Sequence, residues 1–231
     1  MLTKNSSLLL TDAVKETNIA PVNRRNFLRY AGLSAGMIAF IGACKKDDNN
    51  TGVNLGSGDT GVLNYAYALE QLEAAFYIQV ISTPYTNITA AETGYLTDIR
   101  DHEIAHREFF KKVLAANAIQ GLEVNFTSIN FSSRDSVLAT AKAFEDLGVS
   151  AYNGAGKLLT DANNLLVAGK IVSVEARHAA LIRDLISDGS FADSSVVDAN
   201  GLDVVRTPNE VLTIAGTYLK TKVNASNLPT S

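Results

Sequence analysis

From Leu63 onward, apolar side chains recur at alternating steps of three and four in four segments, each interrupted by polar residues where a core would be apolar. The first stripe is Leu63, Ala66, Glu70, Glu73, Tyr77 and Val80, and the second is Ile99, Glu103, His106, Phe110 and Val113. The third runs Leu138, Ala141, Glu145, Gly148, Tyr152, Ala155 and Leu159, and the fourth Ala168, Ile171, Glu175, His178, Ile182 and Leu185. This step pattern is that of near-parallel bundle helices, so all four stripes are expected to face one core.

The punctuation between the stripes agrees. Thr89 with Glu92 forms a capping box ahead of the second helix, and Asp161 is a suitable N-cap for the fourth. A turn near Pro84 joins the first pair and one near Thr160 and Asp161 the second, while Gln120 to Ser132 forms a long crossover between the pairs. Thr207-Pro208-Asn209-Glu210 starts an extra C-terminal helix expected to end near Lys222, after irregular surface chain over 187–206. The predicted fold class is therefore all-α, a four-helix bundle over 62–186 with residues 187–231 appended.

The first 44 residues are expected to be a targeting segment and stand outside the bundle. Asn23-Arg24-Arg25-Asn26-Phe27-Leu28-Arg29 resembles the twin-arginine export motif, and an apolar run from Tyr30 to Ala43 follows. That run is too short for a permanent transmembrane helix, which needs about 20 residues. Ile41-Gly42-Ala43-Cys44 resembles the bacterial lipobox, in which the cysteine becomes a lipidated N-terminus. Polar, Gly-containing residues 45–61 then read as a flexible tether. The expected location is the cell envelope, lipid-anchored through Cys44 at the outer membrane, facing periplasm or cell surface.

Composition narrows the remainder. A length of 231 residues with 46% hydrophobic side chains suits one well-buried domain. A net charge of -4 offers no basic field for phosphates, so no nucleic-acid partner is expected. Cys44 is the only cysteine, which excludes an intrachain disulfide and a rubredoxin-like cysteine site.

Carboxylates on core stripes carry the chemistry, because a buried carboxylate costs several kcal/mol unless it is paired, protonated or bound to metal. Glu103-Ile104-Ala105-His106 and Glu175-Ala176-Arg177-His178 each place a glutamate three residues before a histidine. With ten glutamates in 231 residues, chance gives about 4% per histidine, so two such pairs on two core stripes point to metal ligation. Glu70 and Glu145 come from the other two helices, each followed seven residues later by a tyrosine, Tyr77 and Tyr152. The chain thus looks like two copies of a helix pair, with the ligand set of di-iron and di-manganese carboxylate bundles. Glu73, one turn from Glu70, is an alternative ligand to it. Arg183 reads as a buried ion-pair partner. His102-Glu103-Ile104-Ala105-His106 also matches H-E-x-x-H, which would make His102 and His106 zinc ligands and Glu103 the general base of a hydrolase.

Leu69 to Tyr77, Glu103 to His106, Glu145 to Asn153 and Val174 to Ala180 together resemble the ferritin-like superfamily, nearest its desiccation-related branch. The resemblance implies two iron ions, or manganese, with Glu103 and Glu175 as bridges. His106 and His178 would be terminal nitrogen ligands, and Glu70 and Glu145 terminal carboxylates. Tyr77 and Tyr152 would stand beside the site. Expected reactions are ferrous oxidation or removal of peroxide, with dioxygen or peroxide as partner, in protection against oxidative or desiccation stress; a non-catalytic protective bundle with structural metal is the alternative. A membrane tether is compatible with a homodimer.

Overall fold

A computed structural model describes residues 52–230; the arginine pair, the apolar run and Cys44 lie outside the described residues. Four long helices form the body: α1 (Gly58–Ser82), α2 (Ala90–Leu114), α3 (Arg134–Gly156) and α4 (Ala162–Ile186). Three of them have 25 residues, about 38 Å at the helical rise. The short connections make α1 pack on α2 and α3 on α4, and α1 touches α3 across the core. A short helix, α5 (Pro208–Ala215), lies on α3. Two short strands, β1 (Val53–Asn54) and β2 (Val223–Asn224), pair in parallel and tie the two ends of the described chain together.

α1 is buried on nearly every side, from Gly61 to Tyr77 with only Leu63 and Ala75 partly exposed. The crossover after α2 explains this, because it wraps the face of α1 that the other helices leave uncovered. The Asn64 amide donates to Leu55 and Asn117 carbonyls, and Asn64 Oδ1 accepts from Ile119. Gln71 Oε1 accepts from the Leu122 N–H. Phe126 and Phe131 from the crossover meet Phe76 at centroid distances of 6.1 and 5.9 Å, and Phe144 closes the cluster at 5.1 Å.

Caps fix where the helices start. Thr89 and Glu92 form the expected capping box, and Glu92 also accepts from Arg134 Nε at 2.6 Å, joining the starts of α2 and α3. Asp161 caps α4 through the Asn163 N–H. Asp59, in the first turn of α1, accepts from Thr160, Asp161 and Asn164, which holds the α3–α4 turn against the start of α1. These bonds hold its carboxyl well below the usual range.

Three boundaries differ from expectation. The tether was expected to run to residue 61, but Val53 and Asn54 are paired, Leu55 is fully buried and α1 begins at Gly58. The polar composition of this stretch hid a strand partner 170 residues away. The C-terminal helix, capped by Thr207 and Glu210 as expected, stops at Ala215 rather than Lys222. A single 3-10 turn over Gly216–Tyr218 follows, and the chain then turns to deliver β2. On α2, Val113 is 44% exposed and its neighbour Leu114 is buried, so the stripe shifts by one residue in the last turn.

Candidate metal centre

Each long helix presents its polar stripe residues to the same interior. Glu70, Glu103, Glu145 and Glu175 are fully buried, and His178 is 4% exposed. Two groups result, Glu70, Glu103, His106 and Glu175 in one, Glu103, Glu145, Glu175 and His178 in the other. Within each group one ligand atom per residue lies within 4.8 Å of all the others. Glu103 and Glu175 belong to both.

The imidazoles face this space through Nδ1. His106 Nδ1 is 3.0 Å from Glu175 Oε1, 3.4 Å from Glu70 Oε2 and 3.7 Å from Glu103 Oε2. His178 Nδ1 is 2.9 Å from Glu103 Oε1 and 3.5 Å from Glu145 Oε2. Close as they are, these atoms are not oriented to complete hydrogen bonds: both Nδ1 atoms, both oxygens of Glu103 and of Glu175, and Oε2 of Glu70 and Glu145 lack a hydrogen-bond partner. Buried polar atoms are nearly always satisfied, and a set of oxygens and nitrogens converging without partners fits cations between them.

The outward oxygens of the two outer carboxylates are held by tyrosines. Tyr77 of α1 donates to Glu145 Oε1 of α3 at 2.5 Å, and Tyr152 of α3 donates to Glu70 of α1. The two bonds cross between helix pairs, reproducing the sequence echo in space.

Electrostatics without metal are unfavourable. Burial, with the negative charge of Glu103 beside it, pushes the Glu70 carboxyl up to about 7, against the pull of His106. Burial raises Glu145 as well. Burial and the other carboxylates raise Glu175 and Glu73 well above the usual carboxylate range. Burial also pushes Glu103 up, but His106 and His178 on either side outweigh it and hold this carboxyl down to about 2. Burial lowers His178, yet the carboxylates of Glu103 and Glu145 raise it to about 10, and His106 is raised likewise by Glu103, Glu175 and Glu70. Protons therefore stand in for cations when no metal is present.

Glu73 lies outside both groups although it is 3% exposed, and its Oε2 has no hydrogen-bond partner. Its place depends on Gly148, where a Cβ would come within 3.0 Å of Glu73 Oε1 and 3.4 Å of Glu175 Oε2. Glu73 and Gly148 each follow the outer glutamate of their helix by three residues, so the echo is broken here. Sequence spacing placed Glu73 on the core face; its separation from the two ligand groups needed the structure.

The structure does not assemble the H-E-x-x-H alternative. His102 is absent from both ligand groups, and its Nδ1 lies 2.8 Å from His178 Nε2. Glu103 sits in both groups rather than free as a base. Arg183 is 2% exposed and pairs with Asp146 at 2.7 Å and Asp193 at 2.6 Å, fastening the 187–206 segment to α3 and α4 as an ion-pair partner outside the centre.

Fold and site together define an all-α bundle with a buried carboxylate–histidine cluster compatible with a metal site. A family model for the ferritin-like domain matches residues 58–188, and the chain belongs to that family. No curated protein matches it.

Proposed function

We propose that the protein is an exported di-metal carboxylate protein that oxidises ferrous iron or removes peroxide, protecting the cell envelope against oxidative or desiccation stress. The observation that carries this reading is the pair of four-residue ligand groups sharing Glu103 and Glu175. Glu70 and His106 complete one metal's ligands, and Glu145 and His178 the other's. Oxygen and imidazole donors without thiolate favour iron, with manganese as the alternative.

Bound there, the metals would supply a redox couple and open coordination positions to dioxygen or peroxide. The chain does the rest. Tyr77 and Tyr152 orient the outer carboxylates, and the packed apolar residues above and below, including Ile99, Phe110, Ile171 and Ile182, keep bulk water out. Export through Arg24 and Arg25 and lipidation at Cys44 complete the proposal; the motifs around those residues support it. Metal analysis of purified protein should give about two iron or manganese ions per chain, with oxygen consumption on adding ferrous iron. One zinc per chain, lost in His102→Ala and unaffected by Glu145→Ala or His178→Ala, would overturn the reading.

A further inference from the structure

His102, a zinc ligand in the H-E-x-x-H alternative, stands outside both ligand groups, yet it is in contact with a metal-centre residue. His102 Nδ1 and His178 Nε2 are 2.8 Å apart, with ring planes 18° from each other and centroids 5.1 Å apart. A nitrogen lone pair of imidazole lies in the ring plane. Near-coplanar rings that meet nitrogen to nitrogen, with centroids well beyond that separation, form an edge-to-edge N–H···N hydrogen bond rather than a face-to-face stack.

Which atom donates follows from the opposite edge of His178. Its Nδ1 points at Glu103 and Glu145, so a metal there takes the Nδ1 lone pair and leaves the proton on Nε2. His178 Nε2–H then donates, and His102 Nδ1 accepts. Ligating histidines usually have their second nitrogen held by a carboxylate, carbonyl or water, and that partner fixes both tautomer and ring orientation. Here a histidine from the neighbouring helix fills that place. Among the described residues, His106 shows no such hydrogen bond, so the two metal positions differ.

We propose that His102 is the positioning residue of His178, and through it of the metal held by His178 and Glu145; this rests on the di-metal reading above. His102 is therefore not a ligand, and it distinguishes two metal positions whose ligands echo each other.

The test is stepwise titration of the full-length, metal-free protein with cobalt(II), followed by visible absorption. Wild type should take up two ions. His102→Ala should bind one as before and the other roughly tenfold to a hundredfold more weakly, with an altered band for that ion alone. His102→Asn places an acceptor oxygen on the same Cγ and should restore most of the lost affinity. An alanine variant that titrates like wild type, an equal loss at both ions, or an asparagine variant as weak as alanine would each overturn the assignment. Wild type binding fewer than two ions would instead overturn the di-metal reading beneath it.

Discussion

Glu70 and Glu145 each offer one oxygen to the shared interior and the other to a tyrosine of the opposite helix pair. A hydrogen bond to a charged group contributes about 1.5 to 3 kcal/mol, mostly by fixing where the carboxylate points. Tyr77→Phe is therefore expected to weaken the metal bound by Glu145 about tenfold or more and to spare its neighbour. Tyr152→Phe should do the same to the metal bound by Glu70. Competition titration with a chelator separates the two, and equal losses at both ions would count against the crossed pairing. His106, His178, Glu70, Glu145 and Glu175 all hold protons more tightly than usual in the metal-free centre, so metal must displace protons. Apparent affinity should rise with pH, and binding near pH 7 in weak buffer should release protons that an indicator dye detects. No release would mean that the carboxylates are already ionised.

Among the elements, α3 carries two glycines, Gly148 and Gly154, where a side chain would meet a close neighbour. A Cβ at Gly154 would meet the Arg206 carbonyl oxygen at 1.7 Å, because the 204–206 segment runs directly over the helix and the Arg206 N–H donates to Ser150. Gly154→Ala should cost about 1 to 3 kcal/mol, read as a melting temperature lower by several degrees, since backbone on both sides must move. Gly148→Ala meets only the ends of the Glu73 and Glu175 side chains. It should cost less stability but disturb metal binding more, as seen by metal content after dialysis. Neither glycine declares its purpose in sequence. Legibility at this scale followed locality: the boxes of Thr89 with Glu92 and Thr207 with Glu210 lie within one turn and were readable. The exposed Val113 and the early end of α5 depend on what packs there and were not.

For the whole molecule, the buried carboxylates link stability to pH. Glu70 has a folded-state pKa near 7 against an ordinary 4.5, and Glu73, Glu145 and Glu175 are raised too. A raised carboxyl contributes stability that is fully present below the unfolded pKa and lost as pH rises through the folded one. Glu103, held near 2, and Asp59, lower still, change their contributions only below this window. Metal-free protein should therefore lose stability as pH rises above about 4.5 and through the titration of Glu70 near 7, and go on losing it as the raised His106 and His178 give up their protons, seen as a falling melting temperature; metal should reverse that slope. A metal-free melting temperature that climbs between pH 4.5 and 7 would contradict the raised proton affinity of these buried acids. Export is tested at the same scale. Replacing Arg24 and Arg25 by lysine should leave precursor in the cytoplasm, and Cys44→Ala should release the protein from membranes, both read by fractionation.

The four helices, the long crossover and the glutamates and histidines of the buried cluster were legible in the chain alone, because helical period, caps and Glu-x-x-His spacing are set within a turn or two of one helix. Tertiary structure decided the rest. Only the packing of α1 against α3 shows that each tyrosine serves the other pair's glutamate and that Glu73 is buried opposite Gly148, and only the approach of α2 to α4 shows that His102 meets His178 from 76 residues away. It also made Val53 and Asn54 of the expected tether into β1, through pairing with residues near the other end of the described chain. Local spacing fixes which face a side chain occupies; which side chain it meets on another element depends on how the helices pack, and no single segment encodes that.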